Sequence, residues 1–306
     1  MSCKCNLGLS NTGNPNCLPI QSVTSSLILV PLYSNAGVRN GVSLADAVIP
    51  ATYTALINQA DSSLRWYPIP AMENIEQPKA DSLFEEAASG KKAFLRQGTR
   101  SFSGEIWEGA SPQLYGKLKD NRCVEFGFYV RDVDGNLIGS NEGDGNLYPI
   151  PVDNASWNPT IAFATDSTIQ KIMIGFDWNR LFDESTLWMV TSDEAGLNFN
   201  SLEGLLDVNF LVTAGATITE TPLTATLDYG TFVNAIAFGG ATATSDWSIY
   251  NVTNSAPVTV SSVTETPAGS GNYVIGHATG IATTEVYTIS VAKDGFIGTS
   301  DEITAP

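Results

Sequence analysis

The sequence predicts a mainly β protein in two folded parts, with one or two short helices in the first part and a small antiparallel sandwich at the end. Three observations carry this reading. Short runs rich in Val, Ile, Phe, Tyr and Thr are separated by Gly, Pro, Asn and Asp, the punctuation of strands and turns. Helix-start signals stand before only a few short stretches. After about Thr221 the composition shifts to Thr, Ala, Ser, Val and Gly, with closely spaced apolar runs. A chain of 306 residues accommodates two domains at about 100–200 residues each.

Residues 1–22 are rich in Asn, Gly, Ser and Pro and read as an extended arm. Val23 to Tyr33 (VTSSLILVPLY) is a strong first strand, broken by Ser34-Asn35-Ala36-Gly37. Ser43, with Asp46 three residues on, caps a helical turn. Pro50 to Ala60 (PATYTALINQA) is a helix with Pro in its first turn. The segment Tyr67-Pro68-Ile69-Pro70 is then repeated at Tyr148-Pro149-Ile150-Pro151. Such a pair is either the mark of an internal duplication or two Pro-rich edge segments that lack amide donors.

The stretch from Asp81 to Ser140 is the most legible. Ala93 to Trp107 reads as one long bulged strand or a hairpin. Ser111-Pro112 is an N-cap followed by Pro at the first helical position. Leu114, Tyr115 and Leu118 share a helical face, Lys117 and Lys119 suit the negative end of the helix dipole, and Asn121 ends the helix. Cys123 to Arg131 resumes as strand, and Asp134-Gly135-Asn136 supplies a hairpin turn. Further strands follow within 160–178, at Leu187 to Val190 and at Val208 to Val212. Residues 222–306 hold six or seven short strands, with turns at 268–272 and 293–295 and Trp247 as core anchor beside Tyr273 and Tyr287.

Catalytic constellations are poorly represented. Cys3, Cys5 and Cys17 lie on the arm as C-x-C-x11-C, without the C-x2-C pairs of zinc sites, and the fourth cysteine, Cys123, falls in an expected strand. They read as free thiols on the arm, with a disulfide between neighbouring subunits or a metal site as the alternatives. His277 is alone in the sequence and reads as a surface side chain; no G-x-S-x-G elbow accompanies it. Gly90-Lys91 does not complete a P-loop, because Glu85 stands where the first Gly belongs. Asp132-x-Asp134-Gly135 begins like a calcium loop but has Gly143 where the twelfth-position Glu belongs. The expectation is a protein that is not an enzyme and takes no cofactor or metal.

Charge is the strongest global signal. The chain carries 15 basic and 32 acidic residues, a net charge of −17. Residues 1–100 are nearly balanced, whereas residues 101–306 hold 7 basic residues against 25 acidic ones. Such a surface repels nucleic acid, whose binding depends on cations displacing counterions from phosphates. It suits solubility, or a wall past which DNA slides without sticking. No apolar run reaches the roughly 18 residues that cross a bilayer. The start also lacks the basic-then-apolar layout of a secretory signal, so the expectation is folding in a cytoplasm and no membrane contact.

The segments LFEEAASGKKAFLRQGTRSFSGEIW and CVEFGFYVRDVDGNLIG, in the order strand, helix, strand, Asp-Gly hairpin, resemble phage major tail proteins, the subunits of the tail tube. Residues 222–306 look like the immunoglobulin-like domain that many such subunits display. The resemblance implies a tail-tube-like β-sandwich or barrel over residues 23–221 and an immunoglobulin-like sandwich over 222–306. It implies rings, commonly hexameric, stacked through the 1–22 arm and a long loop, with other tail proteins as neighbours and DNA in transient passage. It places the protein in the virion tail after synthesis in the host cytoplasm. On this reading Glu105, Glu108 and Asp132 are the candidate acids of the tube wall, and the arm with Cys3, Cys5 and Cys17 is the candidate inter-ring contact. The alternatives are another virion component (capsid decoration, collar or fibre) or a carbohydrate-binding adhesion protein.

Overall fold

The structure, a computed structural model, describes residues 20–213, 216–231, 233–278 and 281–306. The chain is mainly β, with three short α-helices among those residues and two ten-stranded sheets.

The first part of the chain begins with β1 (Thr24–Pro31), followed by the two-residue β2 (Val42–Ser43), which pairs apart from the large sheet, α1 (Pro50–Ile57), β3 (Tyr67–Pro68) and β4 (Glu73–Glu76). Next come β5 (Leu83–Glu86), β6 (Lys92–Arg96), β7 (Ser101–Ile106) and α2 (Pro112–Asp120). Then follow β8 (Phe126–Asp132), β9 (Leu137–Ser140), β10 (Asn146–Leu147), β11 (Ile150–Asp153), β12 (Thr160–Ala162), β13 (Lys171–Trp178), β14 (Leu187–Val190) and α3 (Ser192–Ala195). Both expected helices form, though the first ends at Ile57 and not at Ala60. Pro50 opens α1, and Ser111 caps α2 by accepting the Leu114 amide at 3.1 Å, with Pro112 in the first turn. Ser43 Oγ accepts the Asp46 amide at 3.1 Å, but in a turn rather than a helix. The turn at Asp134-Gly135-Asn136 forms with Gly135 at φ +79°, a backbone state that costs glycine nothing.

Two expectations are corrected. Ala93 to Trp107 is not one strand: residues 97–100 separate β6 from β7, which join different sheets. Cys123 is not in a strand but in a 3-10 turn over Asn121–Cys123, where α2 unwinds before β8 begins at Phe126.

β1 and β8 form a central antiparallel ribbon, with Ile28 opposite Tyr129. From β8 the sheet continues through β11, β13 and β7 to β4. There the chain returns to β1, where the Met72 amide donates to Ser25 O at 2.9 Å and the Ile69 amide to Leu27 O at 2.9 Å. The sheet is thus nearly closed on itself, which leaves few unpaired strand edges. Its interior is filled by Leu27, Leu29, Phe102, Phe128, Ile150, Ile174, Phe176, Trp178 and their neighbours. The opposite face of the ribbon, Ile28, Val30 and Tyr129, is covered by Tyr53 and Ile57 of α1, by Trp66 and by Phe199. Both faces of β8 are buried, so its seven residues show no polar alternation.

The repeated tetrapeptide sits symmetrically on this ribbon. Ile69 meets Leu27, one residue before Ile28, on one side. Ile150 meets Phe128, one residue before Tyr129, on the other. A local two-fold axis between Ile28 and Tyr129 therefore relates the two copies, and both isoleucines enter the same core.

The second sheet comprises β15 (Leu206–Val212), β16 (Glu220–Gly230), β17 (Ala235–Ala237), β18 (Trp247–Asn251), β19 (Ala256–Val258) and β20 (Val260–Glu265). It is completed by β21 (Asn272–His277), β22 (Val286–Lys293), β23 (Phe296–Thr299) and β24 (Ile303–Thr304). One layer runs β15-β16-β21-β20 and the other β23-β22-β18-β19. β15 joins them: Leu206 and Asp207 pair in parallel with β23, and Val208 to Val212 pair antiparallel with β16. With β17, β19 and β24 set aside as additional edge strands, the other seven, lettered in chain order, form layers ABED and GFC, the arrangement of an immunoglobulin-like sandwich. Its first strand lies upstream of residue 222, where the composition shift alone placed the start. Trp247 is buried on the third strand of this order, with ring centroids 5.1 Å from Tyr273 and 5.7 Å from Phe210.

Candidate self-association surface

β5 and β6 form a hairpin that belongs to neither large sheet. Its turn is closed by the Ala87 amide donating to Lys91 O at 2.9 Å. Its base is held by the Lys79–Arg100 bridge and by the Ala80 amide on Thr99 O at 2.9 Å. Gly98 is required there, because a Cβ at that position would overlap Ala80 O. Cross-strand register places Phe84 opposite Phe94 and Glu86 opposite Lys92 on one face. The two phenyl rings meet edge to face at 5.7 Å.

Every residue of β5 and β6 is exposed, including Leu83 (48%), Phe84 (52%), Phe94 (54%) and Leu95 (50%). A two-stranded hairpin is at best marginally stable in water without a third strand or a covering helix. Adjacent apolar pairs, Leu83-Phe84 and Phe94-Leu95, put large side chains on both faces of the ribbon. That pairing is the sequence signal for this surface, and it was absorbed into a strand assignment.

The three acids assigned to a tube wall have different fates. Glu108 is exposed just before α2. Glu105, on β7, accepts from Lys171 Nζ at 2.5 Å, Trp107 Nε1 at 2.9 Å and Asn74 Nδ2 at 2.8 Å. The Lys171 bond above all holds its carboxyl below the usual range, and the same lysine neutralises its charge. Asp132 has no exposed surface. Its carboxylate accepts the Asn136 amide and side chain, both at 2.8 Å, so it closes the β8–β9 hairpin and cannot face a lumen. Glu73 and Glu76, exposed on β4 beside β7, are acids that the sequence reading passed over.

Cys3, Cys5 and Cys17 lie outside the described residues. Cys123 is an exposed free thiol. His277 is not on the surface: it is 5% exposed, with Nε2 3.0 Å from Thr221 Oγ1, and burial pushes its pKa below the ordinary value. Among the described residues, no three His, Cys, Asp or Glu side chains are grouped to hold a metal ion, and no helix is long and apolar enough to cross a membrane.

A cleft of about 480 Å³ opens at the Pro31–Phe126 end of the central ribbon. The buried end of β1 (Leu29 to Pro31) and Phe126 lie beneath it, and it is lined by Tyr33, Tyr67 and Val124 together with polar Asn35, Ser62, Ser63 and Asn121. Tyr33 (51% exposed) and Val124 (45% exposed) present apolar surface to solvent. Glu125 is the one charged residue in the lining.

No family model matches the chain, and no curated protein sequence matches it. Among solved structures, the chain is similar to a mouse coronavirus receptor-binding domain determined in complex with its murine receptor. The two share 8% identity over 76% of this chain and 99% of that one, at a TM-score of 0.21. A similarity that low carries no argument about fold or function.

Proposed function

We propose that this chain is a structural subunit that associates with copies of itself into stacked rings, the tail tube of a phage virion, hexameric in the commonest form. The observation that supports this best is the β5–β6 hairpin, whose exposed Phe84, Phe94, Leu83 and Leu95 have no cover among the described residues. A large apolar surface on an unsupported hairpin calls for burial by a partner. The nearly closed first sheet leaves few edges through which subunits would otherwise join. The charge supports a conduit: a net −17 disfavours adhesion of DNA, and the exposed Glu73, Glu76 and Glu108 are acids free to contribute to its wall. Other tail proteins are its expected neighbours at the tube ends.

Negative-stain microscopy of the concentrated protein tests this. Uniform rings or hollow cylinders are expected, and Phe84→Asp with Phe94→Asp should abolish them while circular dichroism stays unchanged. A protein that remains monomeric and whose melting temperature rises with a glycan would instead support an adhesion module, since a ligand bound to the folded state stabilises it.

A further inference from the structure

Among the described residues, none covers the hairpin and none fills the cleft at the Pro31–Phe126 end of the ribbon. We propose that the cleft of one subunit receives the β5–β6 hairpin of a second copy of this chain; this rests on the self-assembly reading above and names its docking face. No hairpin residue lines the cleft of its own chain. The contact is therefore between different surfaces of two copies, which is the head-to-tail kind that propagates into rings or filaments.

The chemistry of the two surfaces matches. Phe84, Phe94 and Lys92 share one face of the hairpin. The cleft offers two tyrosine rings and half-exposed Val124 in its walls and the Glu125 carboxylate, with polar Asn35, Ser62, Ser63 and Asn121 around them. Phenyl groups entering it meet Tyr33 and Tyr67, and aromatic pairs favour such edge-to-face contact. Lys92 then lies on the same side as Glu125. Its present partner, Glu86 at 3.6 Å, is a solvent-exposed pair, and such pairs hold a side chain only weakly. Lys91 adds a second cation at the hairpin tip. The volume suits side chains of one face rather than the whole ribbon, so the aromatic pair is the part that enters.

The full-length chain, with Cys3→Ser, Cys5→Ser, Cys17→Ser and Cys123→Ser as the background, is tested with Phe94→Cys and Val124→Cys, two half-exposed positions. Oxidation should give a ladder of covalent multimers for the double variant and none for either single variant. In parallel, Val124→Glu and Phe94→Glu should each prevent assembly at concentrations where the unaltered chain assembles, with circular dichroism unchanged. Glu125→Lys should weaken assembly, and Lys92→Glu in the same chain should restore it. If Val124→Glu and Tyr33→Ala assemble normally while Phe94→Glu does not, the hairpin docks elsewhere, and the cleft assignment falls with self-assembly intact. If the unaltered chain stays monomeric at high concentration, the self-assembly reading falls and the docking face falls with it.

Discussion

Thr221 Oγ1 lies 2.7 Å from the hydroxyl of Tyr287, joining strand β16 of one layer of the second domain to β22 of the other. The same oxygen lies 3.0 Å from His277 Nε2 on β21. All three residues are buried. In antibody domains a disulfide crosses between these two strand positions; here a hydroxyl pair does.

Thr221→Val keeps the shape and removes the pin. It strands two buried polar groups, and the cost is about 1–3 kcal/mol. Urea unfolding followed by Trp247 fluorescence measures this, and Tyr287→Phe, which strands only one partner, should cost less.

His277 gives the second domain a dependence on acidity. Burial lowers its pKa in the fold below 6.5, opposed by the Ile218 carbonyl and by Glu220. Below pH 6.5 the unfolded chain therefore binds more protons than the folded one, and stability falls as pH falls through that window. Melting temperatures between pH 8 and pH 5 should drop more steeply for the unaltered chain than for His277→Gln. Identical slopes would refute the assignment.

Arg131 is the buried cation of the first domain. It donates to Phe199 O at 2.9 Å, Leu202 O at 3.0 Å and Ile69 O at 2.5 Å, and burial pulls its pKa to about 10. One guanidinium thus fastens the 199–202 turn and the first YPIP copy to β8. Arg131→Met removes the guanidinium from three carbonyls, of which Phe199 O keeps the Leu202 amide, a loss on the order of 3 kcal/mol. Arg131→Lys should recover only part, because an ammonium does not reproduce the guanidinium fork. Denaturant midpoints decide between them.

Lys117 ties α2 to the second domain. Its ammonium lies 2.5 Å from Asp207 and 2.9 Å from Asp228, beside Gln113, which donates to Gly230 O at 2.9 Å. Desolvation pulls its pKa down, but the two carboxylates outweigh that and raise it. Partly exposed pairs contribute about 0–1 kcal/mol each. Lys117→Met should therefore barely alter melting yet widen the maximum dimension seen by small-angle scattering, as should high salt for the unaltered chain. An unchanged scattering profile would assign the domain arrangement to other contacts.

Features written in local chemistry were legible: the first strand, the Ser111-Pro112 helix start, the Gly135 turn and Trp247 as an anchor. Long-range pairing was not. β15 joins β23 in parallel across most of the second domain, and no local pattern announces such a partner. α3 carries a full capping box, Thr191 with Glu194, yet was passed over because it is only four residues long. Asp132 and His277 looked exposed by residue type, whereas Asn136 and Thr221 supply the bonds that let them be buried. The hairpin was hidden because apolar residues on both faces read as a core strand, when they mark a ribbon left uncovered among the described residues.

The YPIP pair gives the middle of the first domain a palindromic frame. About the axis between Ile28 and Tyr129, each strand meets a proline-flanked isoleucine, and the two isoleucines share one interior. The connectors obey no such symmetry, a helix in one half and a hairpin in the other, so altering Ile69 or Ile150 reaches the same core from two-fold-related positions.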